Sequence, residues 1–138
     1  MSPEGRPVIR ILFDGGSWGN PGPGYGSYHV RFPDGHGETV RLDFGRRMTN
    51  NEAEYHTLLA ALEDLAGRLR REGREPAEFT LEIRGDSALV ISQLTGVWKA
   101  RDPRMRALRD RVREWLETFG GYHLERVPRG VVLRHLGH

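Results

Sequence analysis

The sequence has 138 residues, no cysteine and a formal net charge of +2. That length is enough for one domain, residues 1–138, with a core that needs no staples; the absent thiols exclude disulfides, cysteine nucleophiles and cysteine-bound zinc or iron–sulfur centres. No apolar run reaches membrane-spanning length and the opening MSPEGRPV lacks a leader-like apolar stretch, so a cytoplasmic protein without a membrane partner is expected.

The pI near 9.4 stands above what +2 suggests because Lys99 is the sole lysine and arginine supplies the remaining basic charge. Guanidinium groups make planar, bidentate contacts with phosphate, so nucleic acid is a permitted partner. A balance of +2 does not by itself require one, since scattered charges also serve to solvate a surface.

Residues 1–7 read as a lead-in. The run 8–14 (VIRILFD) is apolar on both faces, as a doubly buried strand would be, and it stops at Asp14 before a glycine-rich turn holding Gly15, Gly16, Gly19, Gly22 and Gly24, with Asn20 and Pro21 inside it. Residues 25–32 (YGSYHVRF) form a second strand, Pro33-Asp34-Gly35 a turn, and residues 38–44 (ETVRLDF) a third strand by alternation. These three make an antiparallel meander.

The period then changes. Tyr55, Leu58, Leu59, Leu62, Leu65 and Leu69 recur on one helical face over 51–71, and Thr49 with Glu52 forms a capping box that starts the helix near Asn50. Gly73 and Pro76 end it, and residues 79–84 (FTLEIR) form a fourth strand that runs into Gly85-Asp86. Ser87 caps a short helix over 88–94, closed near Gly96, and Pro103 opens a longer one to about Phe119. Residues 122–127 form a fifth strand, followed by a short tail. The order predicts a mixed five-stranded α/β sheet, three antiparallel strands and then parallel crossovers, flanked by helices.

Asp14, Glu54 and Asp86 stand out. Asp14 and Asp86 each end an apolar strand, and Glu54 lies at the edge of the apolar helical stripe. Burying an ionised carboxylate requires a compensating cation, for which a metal ion is one candidate; a turn-capping Asp before Gly-Gly is the plainer alternative. If strands one and four are neighbours under the helix, the three acids converge and suit Mg²⁺ or Mn²⁺, which take oxygen ligands. Otherwise they are unrelated acids at a cap, a turn and a rim.

Four ordered blocks resemble type 1 ribonuclease H: DGGSWGNPGPGYG at 14–26, RRMTNNEAEYHTLLAAL at 46–62, RGDSALVISQLTGVWK at 84–99 and VPR at 127–129. The resemblance covers nearly the whole chain. It implies the ribonuclease H-like fold and an endonuclease that cuts the RNA strand of an RNA–DNA hybrid with two divalent metals, Mg²⁺ or Mn²⁺, held by four carboxylates. Asp14, Glu54 and Asp86 match three of these catalytic metal ligands, with Asp14 bridging both ions. Asn20, Asn50 and Asn51 match positions that touch the hybrid near its minor groove, and they also suit turn and cap roles. Arg47 and Thr49 match a pocket for a DNA-strand phosphate. Trp98 and Lys99 fall in a segment near the DNA strand, although Trp98 equally suits a core. A monomer is expected, with no obligate protein partner evident in the sequence.

Two features depart from the pattern. Segment 96–103 leaves no room for the basic protrusion of some members; Arg101, Arg104, Arg106, Arg109, Arg111 and Arg113 carry charge there, but interleaved Asp102, Asp110 and Glu114 favour a solvated helix face. The family's fourth acid follows the last strand in a pattern like VPRxxNxxADxLA. Here no Asp or Glu follows Glu125, and the terminal helix is expected to be a stub at best. His135 and His138 stand either near a second ion or, the preferred reading, on the surface of a frayed end. A nuclease working with three acids is favoured, and a catalytically impaired hybrid-binding domain is the alternative.

Overall fold

The computed structural model describes Ser2 and residues 4–137. The chain forms β1 (Val8–Ser17), β2 (Gly22–Arg31), β3 (Gly37–Met48), α1 (Asn50–Arg71), β4 (Thr80–Gly85), α2 (Ala88–Thr95), α3 (Pro103–Glu117), β5 (Gly121–Arg126) and α4 (Arg129–Leu136). The five strands make one sheet in the order β3-β2-β1-β4-β5. β1–β2 and β2–β3 are antiparallel, whereas β1–β4 and β4–β5 are parallel. The mixed sheet with a crossover through α1 is as the sequence predicts.

β1 sits at the centre because its side chains find apolar cover on both faces. Ile9, Ile11 and Phe13 point into the main core with Tyr28, Leu81 and Ile83, where Tyr55, Leu58 and Leu62 of α1 and Val112 and Leu116 of α3 complete the packing. Leu12 points the other way and meets Val127, Val132 and Leu136. The capping box on α1 is present in both directions, with Thr49 accepting from the Glu52 amide and Glu52 accepting from the Thr49 amide.

Two expectations are corrected. The strand does not stop at Asp14; β1 continues to Ser17, and the turn is confined to residues 18–21. Gly15 and Gly16 belong to the ladder, paired with Gly26 and Tyr25. Their lack of a side chain serves close approach: a Cβ on Gly15 would lie 2.7 Å from the Ala53 carbonyl carbon and oxygen and 2.8 Å from the Glu54 nitrogen. The tail is also more than a stub. α4 is a two-turn helix because Val132 and Leu136, four residues apart, face Leu12 together.

Candidate active site

Three elements deliver the acids to one edge of the sheet. The parallel register pairs Phe13 with Gly85, so Asp14 in β1 and Asp86, the residue just past β4, follow side by side. Gly15 lets the backbone of α1 rest on β1, and Glu54 comes down beside Asp14. One carboxylate oxygen from each of Asp14, Glu54 and Asp86 lies within 4.8 Å of the others. Among the described residues no other trio of acids and histidines gathers this closely.

The cluster is largely out of water: Asp14 is 4% exposed and Glu54 9%. Burial, and then the charges of Asp14 and Asp86, push the Glu54 carboxyl up to about 8. Hydrogen bonding to Ser87 and the charge of Arg129 work against that rise. Ser87 is held in place because its hydroxyl also accepts the Val90 amide as the N-cap of α2. An all-oxygen, electron-rich trio that strains to stay ionised fits a hard divalent cation, which would relieve the repulsion.

Arg129 is the functional residue that the sequence analysis missed. Its motif was visible, but its role was not. Nη1 of Arg129 donates to Asp14 Oδ2 at 2.9 Å and to Asp86 Oδ2 at 3.1 Å. The signal available in the sequence was the need of a buried Asp14 for a cation, and Arg129 is the cation that meets it here. Nearby, Arg126 Nε donates to the Asp86 carbonyl at 3.1 Å, and the Val127 amide to that of Gly85 at 2.8 Å, which fix the entry into α4.

Asn20 and Asn50 join the β1–β2 turn to the start of α1. The Asn50 amide donates to Asn20 Oδ1 at 3.0 Å, and Asn50 Oδ1 accepts from the Ser17 amide at 2.9 Å and the Ser17 hydroxyl at 3.1 Å. Asn51 is half-buried one residue on, Thr49 caps the helix, and Arg47 is exposed at the end of β3. Asn20, Arg47, Asn50 and Asn51 therefore lie on or beside the loops that frame α1. Trp98 and Lys99 are exposed after α2, with Trp98 at 49%, so Trp98 is not a core residue. Trp18, 70% exposed, leans on Tyr25 with ring centroids 4.8 Å apart, an aromatic surface that the sequence analysis did not single out.

The arginines of α3 divide. Arg113 reaches the Gln93 and Leu94 carbonyls at the end of α2, and Arg106 the Ala100 carbonyl. Arg111 pairs with Glu63 on the solvated face, whereas Arg109, largely buried, pairs with Asp110. His135 is exposed and lines a small cleft with Arg10, His29, Arg31 and Arg84, to which none of the three acids contributes; His138 lies outside the described residues. Counting along VPRxxNxxAD, the fourth-acid position falls on Leu136 and the Asn position on Val132, both buried against Leu12.

Sheet order, crossover and acid-lined edge together define a ribonuclease H-like domain. The family model described as reverse transcriptase-like matches residues 34–132. The ribonuclease HI of Halobacterium salinarum is 39% identical over 132 residues, covering 94% of this chain and 61% of that protein. The crystal structure of RNase H1 from the same halophilic archaeon superposes with a TM-score of 0.72 at 38% identity, over 90% of this chain and 88% of that one. LC11-RNase H1 in complex with an RNA/DNA hybrid gives 0.75 at 28% identity, over 91% and 89%. The chain belongs to the ribonuclease H family, and it spans 61% of the length of the archaeal ribonuclease HI.

Proposed function

We propose that this protein is an endoribonuclease that hydrolyses the RNA strand of RNA–DNA hybrids, with Mg²⁺ or Mn²⁺ held by Asp14, Glu54 and Asp86. The observation that carries the reading is the convergence of these three carboxylates at the β1/β4 edge, within 4.8 Å, beside the loops that match the family's hybrid contacts. A relative solved with an RNA/DNA hybrid supports the substrate class. We place the protein in the cytoplasm as a monomer.

Asp14, Glu54 and Asp86 would hold the divalent ion, which would supply an activated water for attack on phosphorus and charge stabilisation for the leaving 3′-oxygen. The chain's own residues set the geometry. Asp14 comes from the hydrogen-bonded strand β1, Asp86 follows directly on β4, and Ser87 orients Glu54. Asn20, Asn50 and Asn51 present amides on the substrate side of α1, suited to 2′-hydroxyls in the minor groove. Arg47 and Thr49 take a DNA-strand phosphate, and Trp98 and Lys99 lie along the same strand's path.

The test is cleavage of a hybrid labelled at the RNA 5′ end, in Mg²⁺ and in Mn²⁺, with RNA–RNA and DNA–DNA duplexes as controls. Cutting of the hybrid alone, lost in Asp14→Asn with the fold retained, is the expected result. Activity that survives Asp14→Asn would remove the metal assignment. Leu136 at the fourth-acid position favours one second reading, a hybrid-binding domain without turnover. Tight hybrid binding with no cleavage in either metal would select it.

A further inference from the structure

We propose that Arg129 is a resident counter-cation that competes with the divalent ion for the Asp14–Asp86 pair. The inference rests on the metal assignment above and adds an occupant to that site. A single nitrogen, Nη1, lies 2.9 Å from Asp14 Oδ2 and 3.1 Å from Asp86 Oδ2. A dication held by these carboxylates would lie close to the guanidinium that already donates to both, and like charges at that range repel. The guanidinium and a bridging ion are therefore alternative occupants.

The rest of the geometry makes the exchange feasible. The Arg129 side chain is half exposed, so its guanidinium can swing into water without repacking the core. Its backbone is the first residue of α4, whose hold on the sheet comes from Val132 and Leu136 rather than from the guanidinium. The second basic neighbour, Arg126, reaches the Asp86 carbonyl and not its carboxylate oxygens, so it does not occupy the bridge. The position at which the family pattern would add a fourth anion is the buried Leu136. α4 thus brings a cation to the site and no anion.

The competition has a use. Without metal, the carboxylates crowded at the β1/β4 edge repel one another. Arg129 holds two of them together, so the site is assembled before the ion arrives. The cost falls on metal affinity, because the ion must first displace two charge-assisted hydrogen bonds.

Calorimetric titration of Mn²⁺ into the metal-free protein, without nucleic acid, tests this in four chains: wild type, Arg129→Ala, Arg129→Gln and Arg126→Ala. Both Arg129 variants should bind Mn²⁺ at least tenfold more tightly, and both should melt at a lower temperature than wild type in EDTA. Arg126→Ala removes the same charge nearby and should change affinity less than threefold. Equal tightening in Arg126→Ala would reduce Arg129 to a general field effect and overturn the proposal. Unchanged or weaker binding in both Arg129 variants would overturn it too, while leaving the metal site standing. No Mn²⁺ binding by any chain would instead sink the metal assignment itself, and this inference with it.

Discussion

Gly15→Ala tests how the site is assembled. The added methyl would lie 2.7 Å from the Ala53 carbonyl carbon and oxygen and 2.8 Å from the Glu54 nitrogen, all backbone atoms of α1. Ordinary contact begins near 3.4 Å, so α1 must retreat by about 0.7 Å from β1. No flexible side chain is available to yield. Misfit of this kind costs about 1–3 kcal/mol. The retreat also lifts Glu54 away from Asp14, and displacement near 1 Å in a working site costs on the order of 100-fold in function.

Urea unfolding and Mn²⁺ calorimetry on the same preparation should show both losses, with Mn²⁺ binding at least tenfold weaker. Gly67→Ala is the matched control. Its methyl would meet only the flexible Arg71 guanidinium, at 3.3 Å, within the same helix. There the gain in helix propensity should stabilise the protein by about 0.5–1 kcal/mol. A Gly15→Ala protein as stable as wild type, with unchanged Mn²⁺ affinity, would refute the claim that close approach at Gly15 sets the position of Glu54.

Three further outcomes are expected. Burial and the charges of Asp14 and Asp86 raise Glu54 from 4.5 to about 8, so the folded, metal-free protein keeps a proton that the unfolded chain releases; stability should fall as pH rises through that window. Glu54→Gln should abolish that fall, exceeding wild type by on the order of 3–5 kcal/mol at pH 9 in EDTA and by little at pH 4; parallel pH profiles in urea unfolding would contradict this. Leu136→Ala, at a position 1% exposed, should cost about 2–4 kcal/mol, and fast amide exchange confined to α4 would locate the loss; an unchanged midpoint would mean that α4 does not dock through Leu136. Arg47→Ala should weaken hybrid binding and lower its salt slope by about one, and an unchanged slope would take Arg47 out of the interface.

What the sequence disclosed depends on how local each signal is. The two-faced apolar run 8–14 and the heptad-like leucines of α1 are written in adjacent residues, so the crossover and sheet class were legible. Glu54 could be separated from Glu52 because the capping box already accounts for Glu52. The glycines after Asp14 misled because a turn and a close approach call for the same residue type, and only the position of Ala53, far along the chain, distinguishes them. α4 was underestimated because it is short and Pro128 offers it no side-chain cap. Its apolar pair has meaning only against Leu12. Arg129 was hidden for the same reason, since its partners lie 115 and 43 residues away.

The sheet order leaves β3 and β5 as outer strands, each with a row of backbone donors and acceptors open to another chain. Exposed Glu38, Arg41, Asp43, Arg46 and Arg47 stud β3, with both signs of charge interspersed. The pairing of β2 with β3 also slips between Pro23 and Tyr25, which bends that margin. β5 carries exposed His123, Glu125 and Arg126 over only six residues. A copy adding its own strand to either margin would have to desolvate these charges and match a bent or very short template. Both rims are thereby guarded against edge-to-edge aggregation, and the long, twelve-residue β3 can stay open to solvent without recruiting a neighbour.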